Sequence, residues 1–230
     1  MTHSPSACEP GSIGAFFDVD GTLMHTTIVH FYARLMTDGM SRVRKAAWTL
    51  AFAPRIPLFL VTDRVSRAAF NRQFYRLYRG LDASELRLRA EEVVPLYASE
   101  NMYEDARAAV RSHTEAGHIV ALVTGTADFI AGPVAQMLGI PHVLGTELAE
   151  SGGRFTGEIA GQPLSGVRKA ETTTEFALAH EVDLQQSYAY GDSTADADML
   201  GVVGKPVAIN PSRRMTRYAM RQGWDIRSWR

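Results

Sequence analysis

The sequence has little of several features that would place a protein in a particular class. Its 230 residues carry 24 Lys and Arg against 25 Asp and Glu, a net charge of -1. That balance gives no long-range field to hold nucleic acid or an anionic membrane. A single cysteine, Cys8, excludes an intrachain disulfide framework or a cysteine zinc cluster. We therefore expect a cytoplasmic protein with no nucleic-acid partner.

Long apolar runs are also missing. The most apolar stretch, residues 46–61, is too short for a membrane span and is interrupted by Pro54, Arg55 and Pro57. Residues 1–11 lack a basic start followed by an apolar run, so they predict a flexible polar leader rather than a signal peptide. No membrane span is expected, whereas peripheral association, a monomer and a homodimer all stay open.

What the sequence does have is an alternation of short apolar runs and helical patterns. Residues 15–18, 119–124, 188–192 and 206–209 have the composition of buried parallel strands, and three of these runs end in small or acidic side chains. Helical patterns cover residues 103–116, 127–138, 168–180 and 212–222. The alternation predicts an α/β fold with a doubly wound parallel sheet, which binds ligands at the carboxyl edge of its strands.

Between the first two strands lie about ninety residues with helical periodicity and almost no strand signal. Helices are expected at residues 28–36, 41–52, 63–78 and 84–97, with breaks at Asp38-Gly39, Pro54–Pro57 and Gly80. We interpret residues 26–99 as a helical cap domain inserted into a core domain made of residues 12–25 and 100–230. A β-hairpin turning at residues 150–153 is the other departure from the alternation.

The end of the first strand carries two acids, Asp18 and Asp20, followed by Gly21 and Thr22. Residues two apart on a strand share a face, and a glycine turn lets backbone N–H groups approach an anion. One acid could then attack a substrate while the other moves a proton. The alternative is an ordinary Asp-Gly turn with both acids in solvent.

A second pair of acids, Asp192 and Asp196, follows the third predicted strand. If these converge with Asp18 and Asp20, each like-charged pair about 4 Å apart costs on the order of 4 kcal/mol at an effective dielectric of 20. A hard divalent cation removes that repulsion, and Mg²⁺ suits carboxylate ligands and a substrate phosphate. The alternative, helix N-capping, would explain one of the two acids.

Two weaker signals complete the pattern. Thr124-Gly125-Thr126 places a hydroxyl at a strand end before a predicted helix N-terminus, a place that favours a phosphate oxygen. A Thr N-cap explains the same residues. Lys169 lies at the start of a predicted helix, where a lysine taken alone is usually at the surface.

Four motifs follow one another along the chain: residues 18–22, residues 124–126, Lys169, and Asp192 with Asp196. Together they resemble the haloacid dehalogenase superfamily, and within it the phosphoserine-phosphatase-like subfamily IB with a helical cap of the C1 type. The resemblance implies that Asp18 forms an aspartyl phosphate and that Asp20 acts as general acid and base. It also implies phosphate contacts and Mg²⁺ ligands. The phosphate-binding residues would be Gly21, Thr22, Thr124, Gly125 and Lys169, of which Thr124 and Lys169 also count as catalytic. The metal would be held by Asp18, the Asp20 carbonyl and Asp192, with Asp196 as a further ligand or just behind the ligands.

The expected function is Mg²⁺-dependent hydrolysis of a small phosphomonoester, phosphoserine-like or another amino-alcohol or small-metabolite phosphate. A lysophospholipid-type phosphomonoesterase and a phosphotransferase are alternatives, and so is a non-catalytic phosphate binder or membrane-associated module. Residues 24–30 lack the glutamate that phosphoserine phosphatases carry for the substrate's amino group, although Asp63 could take that role.

The predicted cap adds two open questions. Any of five arginines could meet a substrate carboxylate or second phosphate, although arginines on an amphipathic helix usually face water. These are Arg64, Arg67, Arg72, Arg76 and Arg79. The apolar residues 48–53 and 56–61 are expected to form the cap core, and a greasy pocket or membrane-facing patch is the alternative.

Overall fold

The computed structural model describes residues 11–230, so Cys8 and nearly all of the predicted leader lie outside the described residues. Eight strands form a six-stranded sheet and a separate hairpin. The strands are β1 (Gly14–Phe17), β2 (Ile119–Ala127), β3 (His142–Thr146), β4 (Leu148–Ser151), β5 (Arg154–Ile159), β6 (Tyr188–Gly191), β7 (Lys205–Ile209) and β8 (Asp225–Arg227).

Ten α-helices accompany them in chain order. They are α1 (Ile28–Thr37), α2 (Arg42–Phe52), α3 (Ile56–Val65), α4 (Arg67–Tyr75), α5 (Ala83–Asn101), α6 (Glu104–Glu115), α7 (Asp128–Leu138), α8 (Val167–Ala179), α9 (Ala197–Gly201) and α10 (Arg213–Gln222). Helices α1 to α5 all fall between β1 and β2, and we call residues 28–101 the helical insert. Among the described residues, no helix combines the length and the apolar character needed to cross a bilayer.

The sheet has the strand order β3-β2-β1-β6-β7-β8, and all its strands are parallel. One face packs on α6 and α7 through residues such as Val110 and Ile130. The other face packs on α8 and α10 through Phe176 and Met215. With helices on both faces, the strands become buried apolar runs, and the predicted doubly wound α/β fold is confirmed. From β1 the sheet extends through β2 and β3 on one side and through β6, β7 and β8 on the other. The strand order therefore reverses beside β1, and a crevice forms there at the carboxyl ends of the strands.

The helical insert is held together by aromatic side chains. Tyr32, Phe52, Phe59, Phe74 and Tyr78 lie in successive contact, with ring centroids 5.1 to 6.2 Å apart. The ring of Tyr78 continues the contact to Phe129 and Phe155 of the sheet side of the molecule. The insert and the sheet therefore share one apolar cluster.

The predicted helix over residues 63–78 is wrong in its boundaries. The backbone of Ser66 is extended, with φ -159° and ψ 115°, so α3 ends there and α4 begins. The Ser66 hydroxyl accepts a hydrogen bond from the Ala69 N–H at 3.2 Å, which makes it an N-cap. The predicted break at Pro54–Pro57 is instead a 3₁₀ turn, residues Ala53–Arg55, that leads into α3 with Pro57 in its first turn.

The hairpin appears where the sequence predicts it, as β4 and β5 around Gly152 and Gly153. Its backbone is tied to the insert because the Gly80 N–H donates to the Phe155 carbonyl at 2.8 Å. The short strands β3 and β8 at the two edges of the sheet carry too little pattern to be predicted from sequence.

Candidate active site

Three acids meet at the carboxyl ends of β1 and β6. Asp18 follows β1, and Asp192 and Asp196 lie between β6 and α9. Each offers a carboxylate oxygen, and these oxygens all lie within 4.8 Å of one another. The two strands are neighbours in the sheet, with Phe17 paired to Tyr190, which brings acids from distant parts of the sequence together.

Asp20 does not belong to this group of three. Its carboxylate accepts hydrogen bonds from the hydroxyls of Thr26, at 3.3 Å, and Thr126. Asp20 nevertheless lines the same cavity as the three acids, and the two threonine hydroxyls hold its carboxylate there. Ligation of a metal by the main-chain carbonyl of Asp20 stays a prediction.

Lys169 lies at the centre of the acid group. Its Nζ is 2.6 Å from Oδ1 of Asp18 and 2.6 Å from Oδ1 of Asp196, and its side chain is 3% exposed. Helix α8 begins after Gly166, whose φ of +57° turns the chain so that the first helical turn points Lys169 inward. The surface alternative for this lysine is excluded by its burial.

The carboxylates of the site outnumber the positive charge of Lys169, and the pKa values of the acids reflect this. Burial raises the pKa of Asp18 to about 7, although Lys169 opposes the shift. Burial, with repulsion from Asp196 and Asp18, also raises the pKa of Asp192 well above its usual range. Burial alone would lower the pKa of Lys169, but Asp18 and then Asp196 raise it. Burial alone would raise the pKa of Asp196, but Lys169 and hydrogen bonds from Ser193 lower it. Three carboxylates around one ammonium fit a hard divalent cation such as Mg²⁺ as a further partner.

Gly21 makes room for one of the three acids. Its φ is +84°, and a Cβ built there would lie 2.5 Å from Oδ2 of Asp192. Its N–H donates to the Met24 carbonyl at 2.9 Å, so it is not free for an anion as the sequence suggested. The next residue, Thr22, is buried with its hydroxyl 3.4 Å from Oδ2 of Asp18.

Thr124 and Gly125 belong to an irregular end of β2 rather than to a helix N-terminus. The register of β2 against β3 shifts between Val123 and Ala127, and α7 begins only at Asp128. Helix α7 follows this segment as predicted, but its N-cap is Ala127, so the alternative Thr N-cap is wrong, and the phosphate contact of Thr124 and Gly125 stays a prediction. The buried Thr124 hydroxyl accepts from the Thr126 N–H at 3.1 Å, which leaves its own proton to donate.

Two further residues reach the site from α4, and only one of them was considered from the sequence. Arg67 and Asn71 lie one helical turn apart and both line the cavity above the acids. Asn71 is 1% exposed, and its Nδ2 has no hydrogen-bond partner among the described residues. A Cβ at Gly125 would lie 3.0 Å from that Nδ2, so glycine is what allows the approach.

The five arginines named from the sequence separate into groups. Arg67 faces the acids and forms an ion pair with Asp63, from its Nε to Oδ1 at 3.0 Å. Although burial would lower its pKa, Asp63 and then the site acids raise it. Arg64 lines an open groove outside the site, and Arg72, Arg76 and Arg79 line a separate depression beside Gly157. Arg67 and Asn71 are four residues apart on a helix, so the sequence could have indicated that both side chains lie on the same face.

The cavity enclosed by these residues is small, about 30 Å³. A single ordered water needs roughly 10–15 Å³ measured in this way, so the space holds little more than a water or two. A hydrogen bond from the Tyr75 hydroxyl to the Gly125 carbonyl, 2.7 Å long, ties α4 to β2 above it. The insert therefore lies directly over the acids and leaves little space between them and α4.

Comparison with known proteins places this geometry in a family. The haloacid dehalogenase-like hydrolase family matches residues 15–201. The chain belongs to this family, and it is a hydrolase of the phosphatase type.

The relatives and solved structures agree with that assignment. The chain is 32% identical to the phosphoserine phosphatase SerB1 of Mycobacterium tuberculosis over 94% of its own length and 70% of the relative's. It is 27% identical to a histidinol-phosphatase of Neisseria meningitidis, covering 92% and 96%. A Bordetella pertussis Tohama I protein of unknown function has a similar structure, with a TM-score of 0.76 at 25% identity, covering 94% and 98%. The predicted resemblance to phosphoserine phosphatases is confirmed.

Proposed function

We propose that this protein hydrolyses a small phosphomonoester with Mg²⁺ through an aspartyl-phosphate intermediate on Asp18. The observation that carries the proposal is the group formed by buried Asp18 and Asp196, half-buried Asp192 and buried Lys169 at the carboxyl edge of the sheet. Buried acids with strongly raised pKa values beside a specific charged partner are typical of a catalytic site.

Asp18 is the group best placed to act as nucleophile. Lys169 binds its Oδ1, whereas its Oδ2 has only the 3.4 Å contact from the Thr22 hydroxyl. Oδ2 is thus free to attack phosphorus while the bond from phosphorus to the leaving oxygen breaks. The lysine orients the carboxylate and offsets charge on the phosphoryl oxygens, which is the main requirement of phosphoryl transfer.

Asp20 is positioned to move protons at the same centre. Burial raises the pKa of its carboxyl, so it can carry a proton and give it to the leaving oxygen. The resulting carboxylate can take a proton from the water that attacks the aspartyl phosphate, releasing inorganic phosphate and restoring Asp18. The hydroxyls of Thr26 and Thr126 hold Asp20 in place for both transfers.

Mg²⁺ would be held by Asp18, Asp192 and Asp196 with the carbonyl of Asp20, and it would supply positive charge opposite the phosphoryl oxygens. Arg67 and Asn71 would contact the part of the substrate that points toward the insert. The cavity is too small for a phosphomonoester, so the insert must move away from the acids to admit and hold the substrate.

The substrate class proposed is a small amino-alcohol or other metabolite phosphate. At the position where residues 24–30 lack a carboxylate, the apolar Ile28 lines the cavity. Asp63, the acid that could replace the missing glutamate, already pairs with Arg67. A screen of phosphoserine, histidinol phosphate, amino-alcohol phosphates and sugar phosphates would rank these classes by kcat/KM.

Replacement of Asp18 by Asn tests the nucleophile. The Asp18→Asn variant keeps the shape of the side chain but not its negative charge, so turnover of p-nitrophenyl phosphate with Mg²⁺ should fall by about 10³-fold or more. Asp198→Asn is the matched control, since Asp198 lies in the same region on α9 and is exposed. Retained turnover in Asp18→Asn, with Asp198→Asn unchanged, would contradict the assignment.

A further inference from the structure

An apolar stripe lies exposed along the helical insert. The backbone from Arg42 to Val65 stays helical through the 3₁₀ turn that joins α2 to α3: Phe52, Ala53, Arg55 and Ile56 all have right-handed helical angles. Side chains on the two helices therefore follow nearly one common period of 3.6 residues per turn. Val43 and Val61 are eighteen residues apart, which is five turns, so they fall on the same side.

Five large apolar side chains share this exposed side. They are Val43 (79% exposed), Leu50 (76%), Leu58 (55%), Val61 (57%) and Val65 (83%). Residues on the opposite side, Phe52 and Phe59, are buried in the aromatic cluster of the insert. Of the thirteen exposed large apolar side chains in the described part of the chain, seven lie between Met40 and Val65. The segment is thus apolar on two sides, and the fold covers only one of them.

Positive charge predominates on the same segment, and its one acid, Asp63, lies near the end and pairs with Arg67. Residues 39–62 contain four basic side chains, Arg42, Arg44, Lys45 and Arg55, and no acid. All four are exposed. The chain as a whole has a net charge of -1, so this local excess is not a property of the whole surface.

These observations decide between two kinds of partner. A second copy of this chain, paired by a twofold axis through the stripe, would bring the same four positive charges against each other. Anionic lipid head groups complement the charges, and the boundary between head groups and acyl chains accepts an apolar stripe flanked by Lys and Arg.

We propose that residues 42–65 dock this protein on the surface of an anionic lipid bilayer. The helical path would lie in the plane of the membrane, with the stripe from Val43 to Val65 facing the acyl chains and the arginines on either side of it, Arg42, Arg44 and Arg55, against the head groups. Val65 also lines the open groove that contains Asp192 and Ser193, so the docked face is next to the candidate active site. This inference does not depend on the proposed reaction.

Flotation with lipid vesicles tests the proposal on the full chain. Wild-type protein should float with phosphatidylcholine vesicles containing phosphatidylglycerol, and float about tenfold less with phosphatidylcholine alone or at high salt. The double variant Leu50→Asp, Val61→Asp should lose flotation. Leu178→Asp on α8, where the leucine is 83% exposed, is the matched control and should float like the wild type.

Each other outcome would overturn the proposal. Wild-type protein that stays with the unbound fraction on anionic vesicles excludes docking, and so does a double variant that floats like the wild type. Analytical ultracentrifugation without lipid tests the alternative occupant of the stripe, a second copy of the chain. If the wild-type protein is a dimer and the double variant is a monomer, the stripe is a dimer interface. Melting temperature and p-nitrophenyl phosphate turnover confirm that the double variant is folded.

Discussion

The acid group at the sheet edge and the exposed stripe on the insert depart from ordinary burial in opposite ways. At the sheet edge, Asp18, Asp196 and Lys169 are charged groups that are almost fully buried. On the insert, Leu50 and Val65 are apolar and almost fully exposed. Each arrangement is unfavourable in the isolated chain. Each therefore indicates a partner outside the chain, a cation and a phosphate at the first and a membrane surface at the second.

The largest expected effect comes from removing the one positive charge inside the acid group. Lys169→Met leaves Asp18 and Asp196 buried without their ion pair, so turnover should fall by about 10³-fold and the free energy of unfolding by about 3–5 kcal/mol at neutral pH. Steady-state kinetics and urea unfolding measure both. Lys45→Met, at an exposed lysine, should change neither quantity. A stable and active Lys169→Met would contradict our account of the site.

The second prediction compares two residues on opposite sides of α2. Phe52 is 8% exposed and contacts Trp48 and Phe59, so Phe52→Ala should cost about 3–5 kcal/mol of unfolding free energy. Leu50→Ala, two residues away, should cost about 0.5 kcal/mol or less. Urea unfolding of both variants checks the difference. Equal losses would mean that Leu50 is packed within the protein and that the stripe is not free.

A smaller effect should follow from a single methyl group beside the acids. Gly21→Ala places a Cβ 2.5 Å from Oδ2 of Asp192 at a residue with φ +84°. The carboxylate must move, and a displacement of about 1 Å at a reacting centre costs roughly 10²-fold in rate. Kinetics as a function of Mg²⁺ concentration should show a lower kcat and weaker metal activation. Gly39→Ala is a suitable control, since φ is +71° there and nothing lies within 4 Å of a Cβ.

The sheet and most of the acid group could be predicted because their signals are local. An apolar run followed by Asp-Val-Asp-Gly-Thr is complete within a few residues, and parallel strands bring their carboxyl ends to one edge. The side-chain direction of Asp20 could not be predicted, because it depends on Thr126, which is 106 residues away. The same holds for Asn71, whose approach to Gly125 depends on how the insert closes.

The insert was harder to predict for a different physical reason. Residues 42–65 are apolar on two sides of one helical path, and periodicity alone does not tell which side the fold covers. The aromatic residues Phe52 and Phe59 face inward because they complete a cluster with Phe74 and Tyr32 from other helices. That choice is made by tertiary packing, so the expectation of a simple cap core was correct for one side only.

The size of the closed cavity bears on the fate of the proposed aspartyl phosphate. A phosphorylated Asp18 can react with whatever molecule reaches its phosphorus, and an alcohol acceptor would give transfer where water gives hydrolysis. If the insert packs as closely around a phosphorylated Asp18 as around the acids here, where about 30 Å³ is available, water can reach the phosphorus and an acceptor with a carbon skeleton cannot. An insert packed in this way would select the acceptor by size and direct the proposed intermediate toward inorganic phosphate.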